Sequence, residues 1–277
     1  MVKTDYQDIK VELDGEIGII TLNRPKSLNS FGGRLLIETL NAVMELNDHP
    51  DTIFTVLTGE GRFFSAGADI REPRVLPELA DDTRSEAKIA ATETLLKGVE
   101  LVRALIDHKK VFVLALNGPA VGGGAAWFAG LADIVFAADT CYMQIPFSSL
   151  ALVPENGSAL NFAQTIGVHR ANDMLMFGRK ATAEELEQWG MINKIFPVGS
   201  FRADVKEYLH EQLQVNDGQS MILAKKSQNA TLRTGRMMAL YDSADALTDR
   251  VADGAPIRRF AEKIAQLEET SRKRSKL

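Results

Sequence analysis

Three stretches of this chain combine residue types and spacing suited to chemistry. In Leu152-Val153-Pro154-Glu155-Asn156-Gly157-Ser158 a single carboxylate stands between a proline and an Asn-Gly pair, after an apolar run and before a predicted helix. Apolar surroundings disfavour the charged form of a carboxyl group and so make the carboxylate a stronger base. The same placement also suits an ordinary first-turn Glu favoured by the helix dipole. The other two stretches are turns of small residues, Ser65-Ala66-Gly67-Ala68-Asp69 and Gly118-Pro119-Ala120-Val121-Gly122-Gly123-Gly124-Ala125, each following an apolar strand. Without bulky side chains, backbone N–H groups there can approach a ligand closely. The second turn opens a predicted helix whose positive end favours developing negative charge. Taken singly, each turn is also explained by close helix–strand packing.

Other chemistries lack their residues. There is no G-x-x-x-x-G-K-[ST], and Gly122 to Gly124 are consecutive, so no G-x-G-x-x-G arises. The G-x-S-x-G of a serine hydrolase is missing. The four histidines, His49, His108, His169 and His210, are far apart in sequence with no H-E-x-x-H, so no metal site is expected. His49 and His108 stand beside aspartates in polar stretches and read as solvated or capping side chains. Cys141 is the one cysteine, which excludes an intrachain disulfide and reads as a buried structural thiol. The net charge of −5 argues against a nucleic-acid partner.

These stretches need a frame to position them. With 277 residues, 45% apolar and 25% charged, the chain can bury a sizeable core. Residues 9–13 and 17–22 read as strands joined by an Asp14-Gly15 hairpin turn. Residues 53–57, 111–116, 133–137, 141–145 and 191–196 read as further strands, and 63–69 as a strand running into a turn. Helical periodicity predicts helices over 33–46 and 87–106, and a third follows the Gly-rich turn over 125–131. Beyond Pro154 the pattern is mostly helical. Thr182 and Glu185 form a capping box, and helices are expected at 201–213, 219–232, 237–251 and 257–269. Strands first and helices last indicate an α/β core with a helical C-terminal segment. No apolar run approaches the ~20 residues of a membrane span, and the polar start of the chain is no signal peptide.

Phe63 to Asp69 and Asn117 to Gly124 together resemble the two signatures of the crotonase, or enoyl-CoA hydratase/isomerase, superfamily. Asn23-Arg24-Pro25, Asp133-Ile134-Val135 and Thr182-Ala183-Glu184-Glu185 leading to Gly190-Met191-Ile192 extend the resemblance from about Ile9 to Leu267. It implies a crotonase-like ββα spiral core, residues 1–198, carrying an acyl-CoA site. Residues 199–277 would be a helical C-terminal region that builds homotrimers or hexamers. It further implies that the backbone N–H groups of Ala68 and Gly123 polarise a thioester carbonyl. Arg24, Lys26, Ala66, Asp69, Phe147 and Lys263 would contact the substrate, coenzyme A being part of that substrate and no separate cofactor being needed.

The reaction follows from the acids. Where the family's hydratases carry two glutamates, this chain has Ala126 and Phe147. Glu155 occupies the place of the single glutamate of the peroxisomal Δ3,Δ2-enoyl-CoA isomerases, which the segment resembles most. One departure is that yeast-type isomerases carry a bulkier residue at the Gly123 position. The resemblance therefore implies transfer of a double bond from C3 to C2 in fatty-acid β-oxidation. A hydratase or dehydratase of peroxisomal secondary metabolism is the alternative. The final Ser275-Lys276-Leu277 is a peroxisomal address when it ends the chain, making an import receptor an expected partner.

Overall fold

A computed structural model of the protein describes residue 3, residues 5–69 and residues 83–274, with side chains as far as residue 266. Ser275, Lys276 and Leu277 lie outside the described residues. The strands are β1 (Ile9–Asp14), β2 (Ile17–Leu22), β3 (Phe54–Gly59), β4 (Val111–Leu116), β5 (Ala120–Val121), β6 (Ile134–Ala138), β7 (Tyr142–Gln144), β8 (Lys180–Thr182) and β9 (Lys194–Phe196). The helices are α1 (Leu35–Asn47), α2 (Arg84–Ile106), α3 (Gly123–Ala126), α4 (Ser158–Ile166), α5 (Val168–Phe177), α6 (Ala183–Gln188), α7 (Phe201–Val215), α8 (Gly218–Ala252) and α9 (Ala255–Arg274).

The main sheet has the order β1-β2-β3-β4-β6-β9, and a smaller sheet has the order β5-β7-β8. β1 and β2 form the expected antiparallel hairpin, in register from Ile9 with Leu22 to Asp14 with Ile17. Gly15 in its turn has φ +59°, a conformation that favours glycine. The remaining pairs of the main sheet are parallel.

Parallel strands covered on both faces read as continuous apolar runs, which is why β2 and β4 are buried at every position. Alternation then divides each strand between two cores. Phe112, Leu114 and Leu116 of β4 join Ile20, Leu22 and Leu57 in the larger core. Val111, Val113 and Ala115 join Ile17, Ile19 and Val56 on the other face, where Phe201, Val205 and Leu209 of α7 cover them. The candidate turns and Glu155 belong to the side of the larger core.

Several elements differ from the sequence expectation. Residues 63–69 do not form a strand; two isolated bridges, Ser65 with Ala120 and Phe31 with Ala68, tie the segment down. The helix expected over 125–131 is a single turn, Gly123–Ala126, continued by turns to Leu131. Such a short helix has too few aligned peptides for a strong dipole. Any anion binding there falls to individual N–H groups. The helices expected at 219–232 and 237–251 are one, running unbroken through Gly235. The capping box of Thr182 and Glu185 is present, and Thr83 with Glu86 forms a second. His108 is neither solvated nor a cap. It is 2% exposed, its Nε2 is 2.8 Å from Thr55 Oγ1, and burial with nearby Lys225 and Lys110 pushes its pKa down to about 3. Cys141 is buried, as expected, which raises its thiol to about 12.

Candidate active site

The two small-residue turns come together because glycine lets their backbones touch. Phe31 N–H donates to Gly67 O at 2.7 Å, and Asp69 N–H donates to Phe31 O at 3.3 Å. In an extended stretch successive N–H groups alternate in direction, so the Ala68 N–H points away from Phe31. Val121 N–H donates to Ser65 O at 2.9 Å, fixing the second turn on the first. At Gly67, with φ +80°, an added Cβ would lie 2.7 Å from Val121 O and 3.2 Å from Gly123 N. No side chain separates the turns at this point. Gly123 begins α3, where the first N–H groups have no intrahelical acceptor. Among the described residues neither the Ala68 nor the Gly123 N–H donates to a protein acceptor.

Both residues line a cavity of about 350 Å³, and Glu155 lines it too. The wall is mostly apolar: Phe31, Leu36, Val99, Trp127, Leu152 and Leu247 contribute to it, and Lys97 and Glu93 of α2 are its charged members besides Glu155. Glu155 is half-buried. Desolvation among these side chains pushes its pKa up from 4.5 to about 7, a shift that the facing Trp127 indole opposes.

The loop carrying Glu155 is bent tightly. Ala151 (φ 57°), Asn156 (φ 52°) and Gly157 (φ 74°) all have positive φ. Such angles cost energy outside glycine and persist where packing enforces them. The enforcing element is α8. Gly157 N–H donates to Ser243 Oγ at 2.9 Å, Ser243 O–H donates to Leu240 O at 2.9 Å, and Arg250 Nε–H donates to Ala151 O at 3.3 Å. Removing the Ser243 hydroxyl with Ser243→Ala is expected to lower stability by about 1 kcal/mol. Chemical denaturation would measure that loss, and kcat is expected to fall with it as the carboxylate loses its fixed position.

The other sequence candidates lie apart from this cavity. Arg24 is engaged within the protein: its side chain donates to Ser30 O at 2.7 Å and pairs with Asp69 at 3.4 Å and Asp8 at 3.9 Å. Asp69 also accepts from Ser30 Oγ–H at 2.9 Å. Ala66 N–H donates to Leu28 O, Lys26 and Lys263 are exposed, and Phe147 is buried beside Gly122. Ala126 is buried. Sequence reasoning missed Phe31, Lys97, Trp127, Leu247 and Phe260 as cavity residues. The last two come from α8 and α9, far along the chain, and carried no local signal.

The fold is that of the crotonase class. A crystal structure of an enoyl-CoA hydratase from Mycobacterium avium subsp. paratuberculosis superposes with a TM-score of 0.80, covering 94% of this chain and 100% of that one at 24% identity. The chain belongs to the enoyl-CoA hydratase/isomerase family, whose model matches residues 12–267. It is 35% identical over 190 residues to a Delta(3,5)-Delta(2,4)-dienoyl-CoA isomerase of Pyricularia oryzae, covering 67% of this chain and 68% of that protein. It is 33% identical over 201 residues to the peroxisomal enoyl-CoA delta isomerase 3 of Mus musculus, covering 73% and 61% respectively. Relatives of similar identity carry hydratase names.

Proposed function

We propose that the protein is a Δ3,Δ2-enoyl-CoA isomerase with Glu155 as its one acid–base group. The observation that carries this reading is the meeting of Glu155, Ala68 and Gly123 in one largely apolar cavity. Glu155 removes a proton from C2 of a 3-enoyl thioester and returns it at C4. Charge passes to the thioester oxygen in the dienolate between these steps, and the N–H groups of Ala68 and Gly123 stabilise it there. Addition of water needs a second group to handle the water. Ala126 and Phe147, both buried and apolar, offer none at the two positions where the family's hydratases carry theirs.

The direct test compares turnover of a trans-3-enoyl-CoA with hydration of a 2-enoyl-CoA by the purified protein. Isomerisation at least a hundredfold faster is expected, and dominant hydration would overturn the reading. Because Glu155 must be ionised to accept the first proton, kcat on the 3-enoyl substrate is expected to rise with pH through a midpoint near 7. A stopped-time assay from pH 5 to 9 measures it, and a flat profile would count against Glu155.

The exposed Lys26 and Lys263 are the candidates for holding coenzyme A phosphates. Arg24 and Asp69 act behind them, fixing the first turn through their mutual ion pair. Assembly as a homotrimer or hexamer and import into peroxisomes through Ser275-Lys276-Leu277 complete the proposal. Light scattering and a fluorescent fusion to the last residues test the two in turn.

A further inference from the structure

We propose that Trp127 is a positioning residue whose indole N–H holds one carboxylate oxygen of Glu155, leaving the other oxygen to carry the proton. The inference rests on the reading of Glu155 as the base and adds to it the group that orients the base.

The geometry begins with a buried donor. Trp127 is 8% exposed, and its Nε1 is buried with no acceptor at full hydrogen-bonding geometry, while Glu155 is the carboxylate within its reach. An indole N–H in that situation ordinarily finds an acceptor. The ring cannot turn to look for one. A Cβ added at Gly98 of α2 would lie 2.8 Å from its Cη2, and a Cβ added at Gly123 would lie 3.1 Å from its Nε1. Phe31 stacks on it with ring centroids 4.6 Å apart. The indole therefore fills the space between two glycines, with its N–H edge at Gly123 and its far edge at Gly98. This also accounts for glycine at position 123: Trp127 and Phe31 occupy the volume that a larger side chain there would need.

Glu155 lines the same cavity as Trp127 and Gly123, and hydrogen bonding from the indole favours its charged form. In a shuttle that takes a proton from C2 and returns it at C4, the carboxylate must not rotate between the two events. A donor locked on one oxygen prevents that rotation in both half-steps. The same donor keeps the base ionised at lower pH, because a hydrogen bond to the charged form stabilises it.

Two variants test the proposal in the full-length enzyme. Trp127→Phe removes the N–H and shrinks the ring. Replacement by benzothienylalanine keeps the two-ring shape with sulfur in place of N–H. The Glu155 carboxyl is titrated in the resting enzyme by its infrared C=O band, with Glu155→Gln as the blank. Both variants are expected to raise the midpoint by roughly one pH unit, since hydrogen bonds to an ionised group are strong. At pH 7 kcat on a 3-enoyl-CoA is expected to fall about fivefold. That deficit should close above pH 9, with KM little changed. An unmoved carboxyl midpoint in the shape-preserving variant, or an equal loss of kcat at every pH, would overturn the proposal. A shifted midpoint in a protein that turns over no 3-enoyl-CoA would support the contact and count against the isomerase reading alone.

Discussion

Glu155→Gln is expected to abolish isomerisation of a 3-enoyl-CoA, by roughly 10³-fold or more, while making the protein more stable at pH 8. The loss follows from the chemistry: general acid–base groups contribute about 10²–10⁴-fold, and among the described residues Glu155 is the half-buried carboxylate beside the two free amides. The gain follows from proton linkage. The carboxyl has an ordinary value of 4.5 when unfolded and about 7 when folded. Between those values the folded state binds more protons, so wild-type stability falls as pH rises. The favourable contribution is complete below pH 4.5 and gone above pH 7. Each unit of difference corresponds to about 1.4 kcal/mol. The ceiling is therefore ~3–4 kcal/mol, reduced because Glu155 is only half-buried. Glutamine does not titrate and escapes this dependence. Urea denaturation at pH 5 and pH 8 should show the variant gaining on wild type only at the higher pH. Equal stability at both, with turnover retained, would remove Glu155 from the mechanism. Greater stability with lost activity is the pattern of a group kept for function against the interest of the fold.

Sequence patterning made the frame legible where short-range chemistry decided it. Asp14-Gly15 marked the hairpin, the unbroken apolar run of residues 111–116 marked a doubly covered strand, and Thr182 with Glu185 marked a helix start. It failed where tertiary packing overrode local preference. The gap left between the expected helices 219–232 and 237–251 contains Gly235, whose cost in a helix relative to Ala is roughly 1 kcal/mol. α8 nevertheless runs straight through it, packed along α2 and with Leu160 close to the glycine. The same distinction holds at the site. The two small-residue turns and Glu155 could be singled out because they are local features, whereas the choice of Ala68 and Gly123 within the turns rested on the resemblance to the crotonase family. Trp127 could not, because an indole in an apolar stretch looks like any core residue until Gly98 and Gly123 are seen at its two edges. Nor could Arg24 be recognised as a partner of Asp8 and Asp69, or Ser243 as the acceptor for Gly157, 86 positions away. His108 was misread because its aspartate neighbour in sequence is not its environment in space.

Gly67→Ala is expected to lower kcat about a hundredfold with the protein still folded, because the substitution acts as a wedge between the two amides. Two costs arise, and they can be separated. The first is conformational: φ of +80° disfavours any side chain, by roughly 1–2 kcal/mol. The second is steric. The new methyl would sit 2.7 Å from Val121 O, a backbone atom that cannot swing aside as a side chain would. Relief requires the first turn to move away from the second, yet Phe31 N–H and Val121 N–H hold both turns in place. The displacement therefore falls on the short stretch between them, which carries the Ala68 N–H and faces Gly123. Losing one of two donors to a developing oxyanion costs roughly 10²–10³-fold in kcat. Gly190→Ala is the control. Its φ is +81°, nearly the same, but no atom lies within 4 Å of the added Cβ. It should lose comparable conformational stability in thermal melts and keep its turnover. If both variants retained kcat within threefold, the contact between the turns would matter only for folding, and the amides of Ala68 and Gly123 would not be the groups that grip the thioester oxygen.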